Sequence, residues 1–372
     1  MLEQEQEKGP AVSLDAAPTA KTVHKILYAD SRDTVDDLTA SIDLVVTSPP
    51  YPMIKMWDHA FSKLNAAIQS ALSKQDGDKA FELMHGELDK VWTNAYRSLR
   101  TGGIMCVNVG DATRTVNGTF KLYPNHARIL SFCLNLGFHA LPEILWRKES
   151  NKPNKFMGSG MLPGGAYVTQ EHEFILILRK NDKRQFTAQI DKQTRQSSAF
   201  FWEERNTWFS DLWQNLKGTR QMLNHEGMRE KSAAFPFDLA YRLISMFSVK
   251  GDWIADPFLG TGTTTLASMA LARNSLGFEI DPQFKPLLTR KINRIVDFAN
   301  DYNRERISRH LEFAKSMKRE HVHRNEIHGF PVVTSQERFL EIPSLRSVTQ
   351  TGNDIFEVDY FAEPLKVGIA LF

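Results

Sequence analysis

Cysteine is scarce in this chain of 372 residues, which contains only Cys106 and Cys133. Two cysteines cannot form a disulfide framework, so we expect a reducing compartment, the cytoplasm. Cysteine and histidine nowhere cluster with the spacing of a zinc site, and we interpret His321 and His323 as surface residues. No apolar run approaches the length of a membrane span, and residues 1–22 lack the apolar core of a secretory signal, which predicts a disordered lead-in.

The chain also lacks a strong excess of either charge, because 46 basic residues face 44 acidic ones. The balance is uneven along the chain. Residues 147–195 and 285–325 each hold about two basic residues for every acidic one. Such regions are compatible with a surface that faces phosphate groups, although a solvated helix face explains the second region equally well.

Seven short apolar runs have the pattern of buried parallel strands that end in glycine, aspartate or proline. They occupy residues 25–30, 42–50, 103–111, 141–148, 173–180, 253–258 and 275–281. Apolar residues at helical spacing lie between some of them, at 88–99 and at 237–247. Strands that alternate with helices predict an α/β fold with a doubly wound sheet, and the length suits one large domain with a smaller insertion.

Four segments do not follow this rhythm. Residues 149–170 are rich in glycine, proline, asparagine and lysine, which predicts a loop. Residues 181–232 are polar and aromatic without periodicity, and a long irregular segment in an enzyme is usually functional or disordered. A charged helical pattern runs from about Pro282 to Met317. The last fifty or so residues have no informative pattern and are interpreted as a tail.

The first candidate motif is Thr47-Ser48-Pro49-Pro50-Tyr51, which follows the apolar residues 42–46. In a doubly wound sheet, ligands bind where strands end. Two prolines fix the backbone and remove two N–H donors, so the carbonyls beside them are free to accept hydrogen bonds from a ligand. With a hydroxyl before them and an aromatic ring after them, this set suits a flat, amide-like target. A rigid turn with Tyr51 as part of the core explains these five residues equally well.

The second candidate motif runs from Asp256 to Thr265 and reads Asp-Pro-Phe-Leu-Gly-Thr-Gly-Thr-Thr-Thr. Gly260 and Gly262 permit a tight strand-to-helix turn with a ligand at the helix N-terminus. Glu279 follows the next predicted strand, where a carboxylate can accept hydrogen bonds from both ribose hydroxyls of a nucleoside. The loop lacks the Gly-Lys-Ser/Thr of a nucleoside triphosphatase, so a nucleoside cofactor is favoured over a triphosphate.

Together the two motifs resemble those of the DNA amino-methyltransferases, which methylate N4 of cytosine or N6 of adenine. The family's catalytic motif, (Asp/Asn/Ser)-Pro-Pro-(Tyr/Phe/Trp), matches Ser48-Pro49-Pro50-Tyr51, and its cofactor motif matches residues 256–264. Residues 28–38, 211–214 and 225–244 resemble lesser motifs, so that the likeness covers roughly residues 24–300.

The resemblance implies a Rossmann-like sheet, S-adenosylmethionine as cofactor and double-stranded DNA as substrate. Since the catalytic motif comes first, the chain is similar to the circularly permuted β class. The implied segments are a lead-in at 1–22, a catalytic half at 23–180, a target-recognition region at 181–224 helped by the loop 149–170, a cofactor-binding half at 225–300, and a helical extension and tail at 301–372. The resemblance also allows a homodimer and a cognate restriction endonuclease as partners.

The resemblance further assigns roles to individual residues. Ser48 and the Pro49 carbonyl would accept hydrogen bonds from the target amine, Tyr51 would stack on the flipped base, and Pro50 completes this motif. The residues implied in cofactor binding are Asp30 and Phe258 at the adenine, Glu279 at the ribose, Asp256, Thr263 and Thr264 around the amino-acid end, and Pro257, Gly260 and Gly262 in the loop.

Ser48 is typical of the family's cytosine-N4 members, whereas its adenine members mostly carry Asp or Asn at this position. An adenine-N6 enzyme, an enzyme that methylates a protein glutamine or an RNA base, and a DNA-binding relative without catalysis are the competing interpretations. Methylation at C5 of cytosine requires a nucleophilic cysteine, whereas both cysteines here fit small buried residues.

The expected recognition region contains both arginine and tryptophan. We predict that Arg195, Arg205 and Arg220 contact DNA, mostly its phosphates. For Trp202, Trp208 and Trp213 we favour a small hydrophobic core over stacking on bases.

Overall fold

A computed structural model of the chain describes residues 21–33, 38–148, 161–214, 216, 235–317, 323–363 and 365. The strands are β1 (Lys21–Leu27), β2 (Ile42–Thr47), β3 (Leu99–Val109), β4 (Ala112–Val116), β5 (Thr119–Tyr123), β6 (Phe138–Arg147), β7 (His172–Lys180), β8 (Leu212–Trp213), β9 (Trp253–Asp256), β10 (Asn274–Phe278), β11 (His323–Arg324), β12 (Pro331–Val332), β13 (Leu345–Gly352) and β14 (Ile355–Tyr360). The helices are α1 (Asp58–Leu64), α2 (Ala66–Ser73), α3 (Gly77–Ser98), α4 (Asn125–Leu136), α5 (Gln189–Ser197), α6 (Trp202–Trp208), α7 (Phe237–Phe247), α8 (Thr263–Ala270), α9 (Lys285–Ile292) and α10 (Ile295–Ser316).

Ten strands form one sheet in the order β13-β14-β1-β10-β9-β2-β3-β7-β6-β8. The five central strands from β1 to β3 are parallel, and β7 and β14 flank them in the antiparallel direction. The strands β9 and β2 are neighbours in the sheet. The strand that follows β9 in the chain, β10, lies on one side of this pair, and the strand that follows β2, β3, lies on the other. This pair is therefore the topological switch point, where an open α/β sheet forms its ligand crevice.

Apolar side chains cover both faces of the sheet, as the near-continuous apolar runs predict. All six residues of β2 are buried. Leu44 and Val46 pack in a core with α7, α8 and α10, whereas Val45 packs in a second core with α2, α3 and α4. Alternation along one strand into two cores confirms the predicted doubly wound α/β fold.

All seven predicted strands are present, with ends that differ from the prediction by up to four residues. The parallel direction predicted for residues 173–180 is wrong, because β7 is antiparallel to both β3 and β6. The predicted helix at 237–247 is also present, and Pro236 is its N-cap residue. The predicted helix at 88–99 belongs to the longer α3, which ends at Ser98, and the chain turns directly into β3. Residues 101–103, which follow the predicted helix, lie inside β3.

Two expectations about irregular segments are corrected. Within 181–232, the described residues up to 214 form α5, α6 and β8, and Trp208 and Trp213 lie in the main core rather than in a separate small one. Trp202 is 40% exposed. Residues 345–360, interpreted as tail, form the hairpin β13–β14, which pairs with β1 and extends the central sheet.

The helices of the described segments are all too short or too polar to cross a membrane. Both cysteines are buried thiols, and burial raises the pKa of Cys106 and of Cys133. Burial therefore favours the neutral thiol over the nucleophilic thiolate.

Candidate active site

The two sequence motifs meet at the carboxyl ends of β2 and β9. Thr47, the last residue of β2, donates a hydrogen bond from Oγ1 to Oδ1 of Asp256, the last residue of β9, over 2.6 Å. The strands pair in parallel through Leu44 and Val45. Ser48 follows Thr47 directly at this end of β2 and is partly exposed.

Asp256 is the buried centre of this junction, with 2% exposure. Its carboxylate accepts hydrogen bonds from the Thr47 hydroxyl, from the Thr264 hydroxyl at 2.6 Å and from the Phe258 amide at 3.0 Å. Burial raises the pKa of Asp256 to about 6, even though these three donors favour the ionised form. Asp256 therefore joins the catalytic motif, the glycine loop and α8.

The glycine loop from Leu259 to Gly262 connects β9 to α8 as a tight turn. Gly262 has φ +82°, and a Cβ atom there would lie 2.4 Å from Leu288, so that only glycine fits. The Gly260 amide donates to Oε2 of Glu279 over 2.7 Å, while the Asp281 amide donates to Oε1. Burial raises the pKa of Glu279. Its carboxylate thus lies against the loop, and Thr263 opens α8.

Asp30 follows β1, the next strand along the sheet from β10. Its carboxylate accepts hydrogen bonds from Nε and Nη2 of Arg32. Burial raises the pKa of Asp30, but the hydrogen bonds and charge of Arg32 outweigh it and the pKa is lowered. Phe258 packs edge-on against Trp92 of α3, at 5.9 Å between ring centroids, and Pro257 lines a small cavity beside α3.

The side chains at this edge fit S-adenosylmethionine by their chemistry. The buried carboxylates of Asp256 and Glu279 suit the ammonium group of the amino-acid end and the ribose hydroxyls, respectively. The backbone of the loop can approach a ligand closely, since nothing lies closer than 3.9 Å to the position of a Cβ atom at Gly260. Among the predicted cofactor residues, the structure therefore gathers those of residues 256–279 around one loop and places Asp30 at a neighbouring strand end.

Tyr51 is held by polar groups that the sequence analysis did not single out. Its hydroxyl lies 3.1 Å from Oγ of Ser48, donates to Oε2 of Glu173 over 3.0 Å and accepts from Asn108 over 3.1 Å. Lys148 forms an ion pair with the other oxygen of Glu173. We call Tyr51, Asn108, Lys148 and Glu173 the Glu173 cluster.

A sequence signal for part of the Glu173 cluster does exist. Asn108 lies near the carboxyl end of a predicted buried strand, and Glu173 opens another. A polar residue at the end of an apolar run is a candidate for the ligand edge of a sheet. Placing Glu173 there also requires the antiparallel direction of β7, which the pattern alone does not reveal.

The predicted DNA-binding arginines lie away from these contacts. Arg195 on α5 and Arg205 on α6 are exposed, and their guanidinium groups lie 5.0 Å from the Phe186 ring centroid and 5.2 Å from that of Phe209. Glu204, which precedes Arg205 on α6, is half-buried and pairs with the buried Arg306 of α10. Arg220 lies outside the described residues.

Comparisons with known proteins agree with this geometry. The family model described as DNA methylase matches residues 42–290. The chain is 48% identical to the Type II methyltransferase M.MthZI of Methanothermobacter thermautotrophicus over 91% of this chain and 96% of that protein. It is 45% identical to M.MjaI of Methanocaldococcus jannaschii, over 77% of this chain and 97% of that protein.

The chain is also similar to a protein of solved structure. The chain resembles TTHA0409 of Thermus thermophilus, described as a putative DNA modification methylase and solved with S-adenosylmethionine. The TM-score is 0.56 with 31% identity, over 73% of this chain and 96% of that one. Because the family model matches more than half of the chain and the two relatives match most of their own length, the chain belongs to the N6/N4 DNA methylase family.

Proposed function

We propose that this DNA methyltransferase transfers the methyl group of S-adenosylmethionine to the exocyclic N4 of cytosine at a specific site in DNA. As a member of its family, the chain uses S-adenosylmethionine and acts on DNA. The observation that supports N4 of cytosine is Ser48, a partly exposed hydroxyl directly beside the junction of Thr47 and Asp256. Serine at this position is typical of the cytosine members.

The chain's task is to orient and polarise the target amine, because S-adenosylmethionine brings a methyl group already activated by its positive sulfur. An exocyclic amine is a poor nucleophile while its lone pair is conjugated to the ring. Hydrogen bonds from its two protons to the Ser48 hydroxyl and the Pro49 carbonyl localise that lone pair on nitrogen. Tyr51, which is partly exposed, stacks on a base that has left the duplex.

We assign cofactor binding to residues at the same edge of the sheet. Glu279 binds the ribose hydroxyls, and Asp256, with Thr263 and Thr264 at the start of α8, forms the region around the amino-acid end. Phe258 and Asp30 contact the adenine ring. The burial of both carboxylates supports these roles, as do the hydrogen bonds that Glu279 accepts from Gly260 and Asp256 accepts from Thr264.

DNA contacts outside the site come from the exposed arginines. Arg195 and Arg205 bind phosphates, and the region 181–224 with the loop 149–170 selects the sequence. Each alanine variant is expected to weaken binding to all DNA sequences by a similar factor and to reduce the salt dependence of binding. We further propose a cytoplasmic enzyme that forms a homodimer and works beside a cognate restriction endonuclease.

Nucleoside analysis of the product tests the base assignment. Purified protein and S-adenosylmethionine are incubated with long unmethylated DNA, which is then digested and analysed by mass spectrometry, with Ser48→Ala as control. N4-methylcytosine that disappears with Ser48→Ala is the expected result. N6-methyladenine would overturn the cytosine assignment and leave the fold and site unchanged, whereas unmodified DNA from a protein that binds the cofactor would contradict the DNA activity.

A further inference from the structure

A continuous chain of hydrogen bonds runs from the Ser48 hydroxyl into the Glu173 cluster. From Ser48, the chain passes over 3.1 Å to the Tyr51 hydroxyl and over 3.0 Å to Oε2 of Glu173. Glu173 is 8% exposed, and its other oxygen pairs with Lys148, whose side chain is 48% exposed. The chain thus connects the point where the target amine is expected to bind with solvent at the far side of the cluster.

The cluster is packed tightly enough to fix this connection. Gly110 lies against the ring of Tyr51, where a Cβ atom would come within 3.0 Å of Cε2 and 3.3 Å of Cγ of Glu173. Asn108, at 2% exposure, donates to Glu173 over 2.7 Å as well as to Tyr51. Two strands, β3 and β7, therefore hold one carboxylate against one phenol.

Tyr51 is a neutral hydroxyl in this setting. Burial and the negative charge of Glu173 raise its pKa well above the usual value of a phenol. A neutral phenol can donate one proton while it accepts another. The carboxylate of Glu173 ends the chain with one oxygen at Tyr51 and the other at Lys148.

We propose that Glu173 accepts the proton that the target amine loses, and that this proton passes through Ser48 and Tyr51. Because Glu173 acts through these two residues and does not touch the target, it is a positioning residue for this reaction. The proposal rests on the assignment of Ser48 as the hydroxyl that binds the amine. It applies equally to cytosine and to adenine, because either exocyclic nitrogen must lose one proton when it gains a methyl group.

The step balances within these groups. The nitrogen lone pair forms the bond to the methyl carbon, and the electron pair of the carbon–sulfur bond returns to sulfur, which becomes neutral. The amine proton passes to Oγ of Ser48, the Ser48 proton passes to the Tyr51 oxygen, and the Tyr51 proton passes to Oε2 of Glu173. The carboxylic acid formed then releases its proton to water, and the pair with Lys148 is restored.

Single-turnover kinetics with Glu173→Gln tests the chain. The glutamine keeps the size of the side chain and an acceptor oxygen for Tyr51 but cannot take a proton. With long unmethylated DNA and S-adenosylmethionine that carries a tritiated methyl group, we expect the transfer rate to fall about 100-fold. Calorimetric affinity for S-adenosylmethionine should stay within about threefold of the wild type. Glu171→Gln, which removes an equal charge from the more exposed pair with Arg147, is the matched control.

Rates in mixtures of light and heavy water separate proton transfer from a purely structural role. A plot of the wild-type transfer rate against the fraction of deuterium in the solvent should be curved, because several protons move together. The same plot for Glu173→Gln should lose that curvature. Tyr51→Phe should lose as much rate as Glu173→Gln, and the double variant no more than either, because both break one chain.

Three results would overturn the proposal. The first is a transfer rate of Glu173→Gln near that of the wild type, and the second is a curved dependence of that variant's rate on deuterium. The third is full activity of Tyr51→Phe, which decides the question if Glu173→Gln does not fold. An N6-methyladenine product would change the base assignment alone, since the tritium assay counts methyl groups on either base.

Discussion

The two ends of the central sheet hold buried carboxylates in different settings. At the amino end, Asp43 of β2 and Asp252 before β9 share the guanidinium group of Arg184, at 3.1 and 2.7 Å, and Asp43 also pairs with Arg100. At the carboxyl end, the Asp256 carboxylate accepts hydrogen bonds from hydroxyl and amide groups. Within the described segments, Asp256 forms no ion pair with a basic side chain.

This difference separates a structural role from a ligand-binding one. At the amino end the chain itself supplies the positive charge, so the carboxylates need no ligand. Burial raises the pKa of carboxyl groups at both ends, to about 7 for Asp43 and to about 6 for Asp256, so the two ends differ in the neighbouring cation and not in the pKa. At the carboxyl end, a cationic ligand would stabilise the ionised form. Substitutions at the carboxyl end should therefore reduce activity, and those at the amino end should reduce stability.

Ser48→Ala should give the largest effect and affect only activity. The hydroxyl that polarises the amine is lost, so we expect the transfer rate to fall by about 10²–10³-fold. Because Ser48 is partly exposed, the free energy of unfolding should change by less than about 0.5 kcal/mol. Methylation kinetics and denaturant unfolding measure the two quantities. A variant that keeps its activity would contradict the assignment of Ser48.

Arg184→Met should reduce stability and not activity. It leaves Asp43 and Asp252 without their shared cation, and we expect a loss of about 3 kcal/mol in the free energy of unfolding. The transfer rate per folded molecule should be unchanged. Asp252→Asn in the same chain should restore part of the stability, since one buried charge is removed. A loss below about 1 kcal/mol would contradict the role of this cluster.

The sequence predicts the carboxyl end of the sheet better than its outer parts. The motifs of β2 and β9 combine apolar strands with proline and glycine at fixed positions, and parallel strands bring such ends together. Glu173 and Asn108 were not identified because their positions depend on pairing between β3 and β7, which is not a local property. The hairpin β13–β14 was missed because its burial arises from pairing with β1 rather than from an apolar run of its own.

The recognition region shows the same limit. Its residues 181–214 show no clear periodicity because α5 and α6 are short. No residue of α5 is buried, and Trp208 is the one buried residue of α6. The ion pair of Glu204 with Arg306 joins segments about a hundred positions apart, which no local pattern reveals.

Thr47→Val tests the bond that joins the two motifs. Valine has the size of threonine, but Asp256 loses a hydroxyl donor, and we expect a loss of about 2 kcal/mol in the free energy of unfolding. Affinity for S-adenosylmethionine should also weaken, because the loop is held through the same carboxylate. Thr207→Val, whose hydroxyl donates to the Glu203 carbonyl within α6, is the matched control and should change stability by less than about 0.5 kcal/mol. Equal losses in both variants would contradict a special role for Thr47.

The pH dependence of cofactor binding should give the smallest effect of the four. Burial raises the pKa of Asp256 to about 6, so the carboxyl group takes up a proton as pH falls through this value. A cationic ligand binds the ionised form better, hence binding must release that proton below pH 6. We expect the dissociation constant for S-adenosylmethionine to rise about tenfold between about pH 7 and about pH 5. Calorimetry with wild type and Asp256→Asn measures it. The variant has no group to ionise at this position and should show weaker, nearly constant affinity, whereas equal pH profiles would place the cofactor's charge away from Asp256.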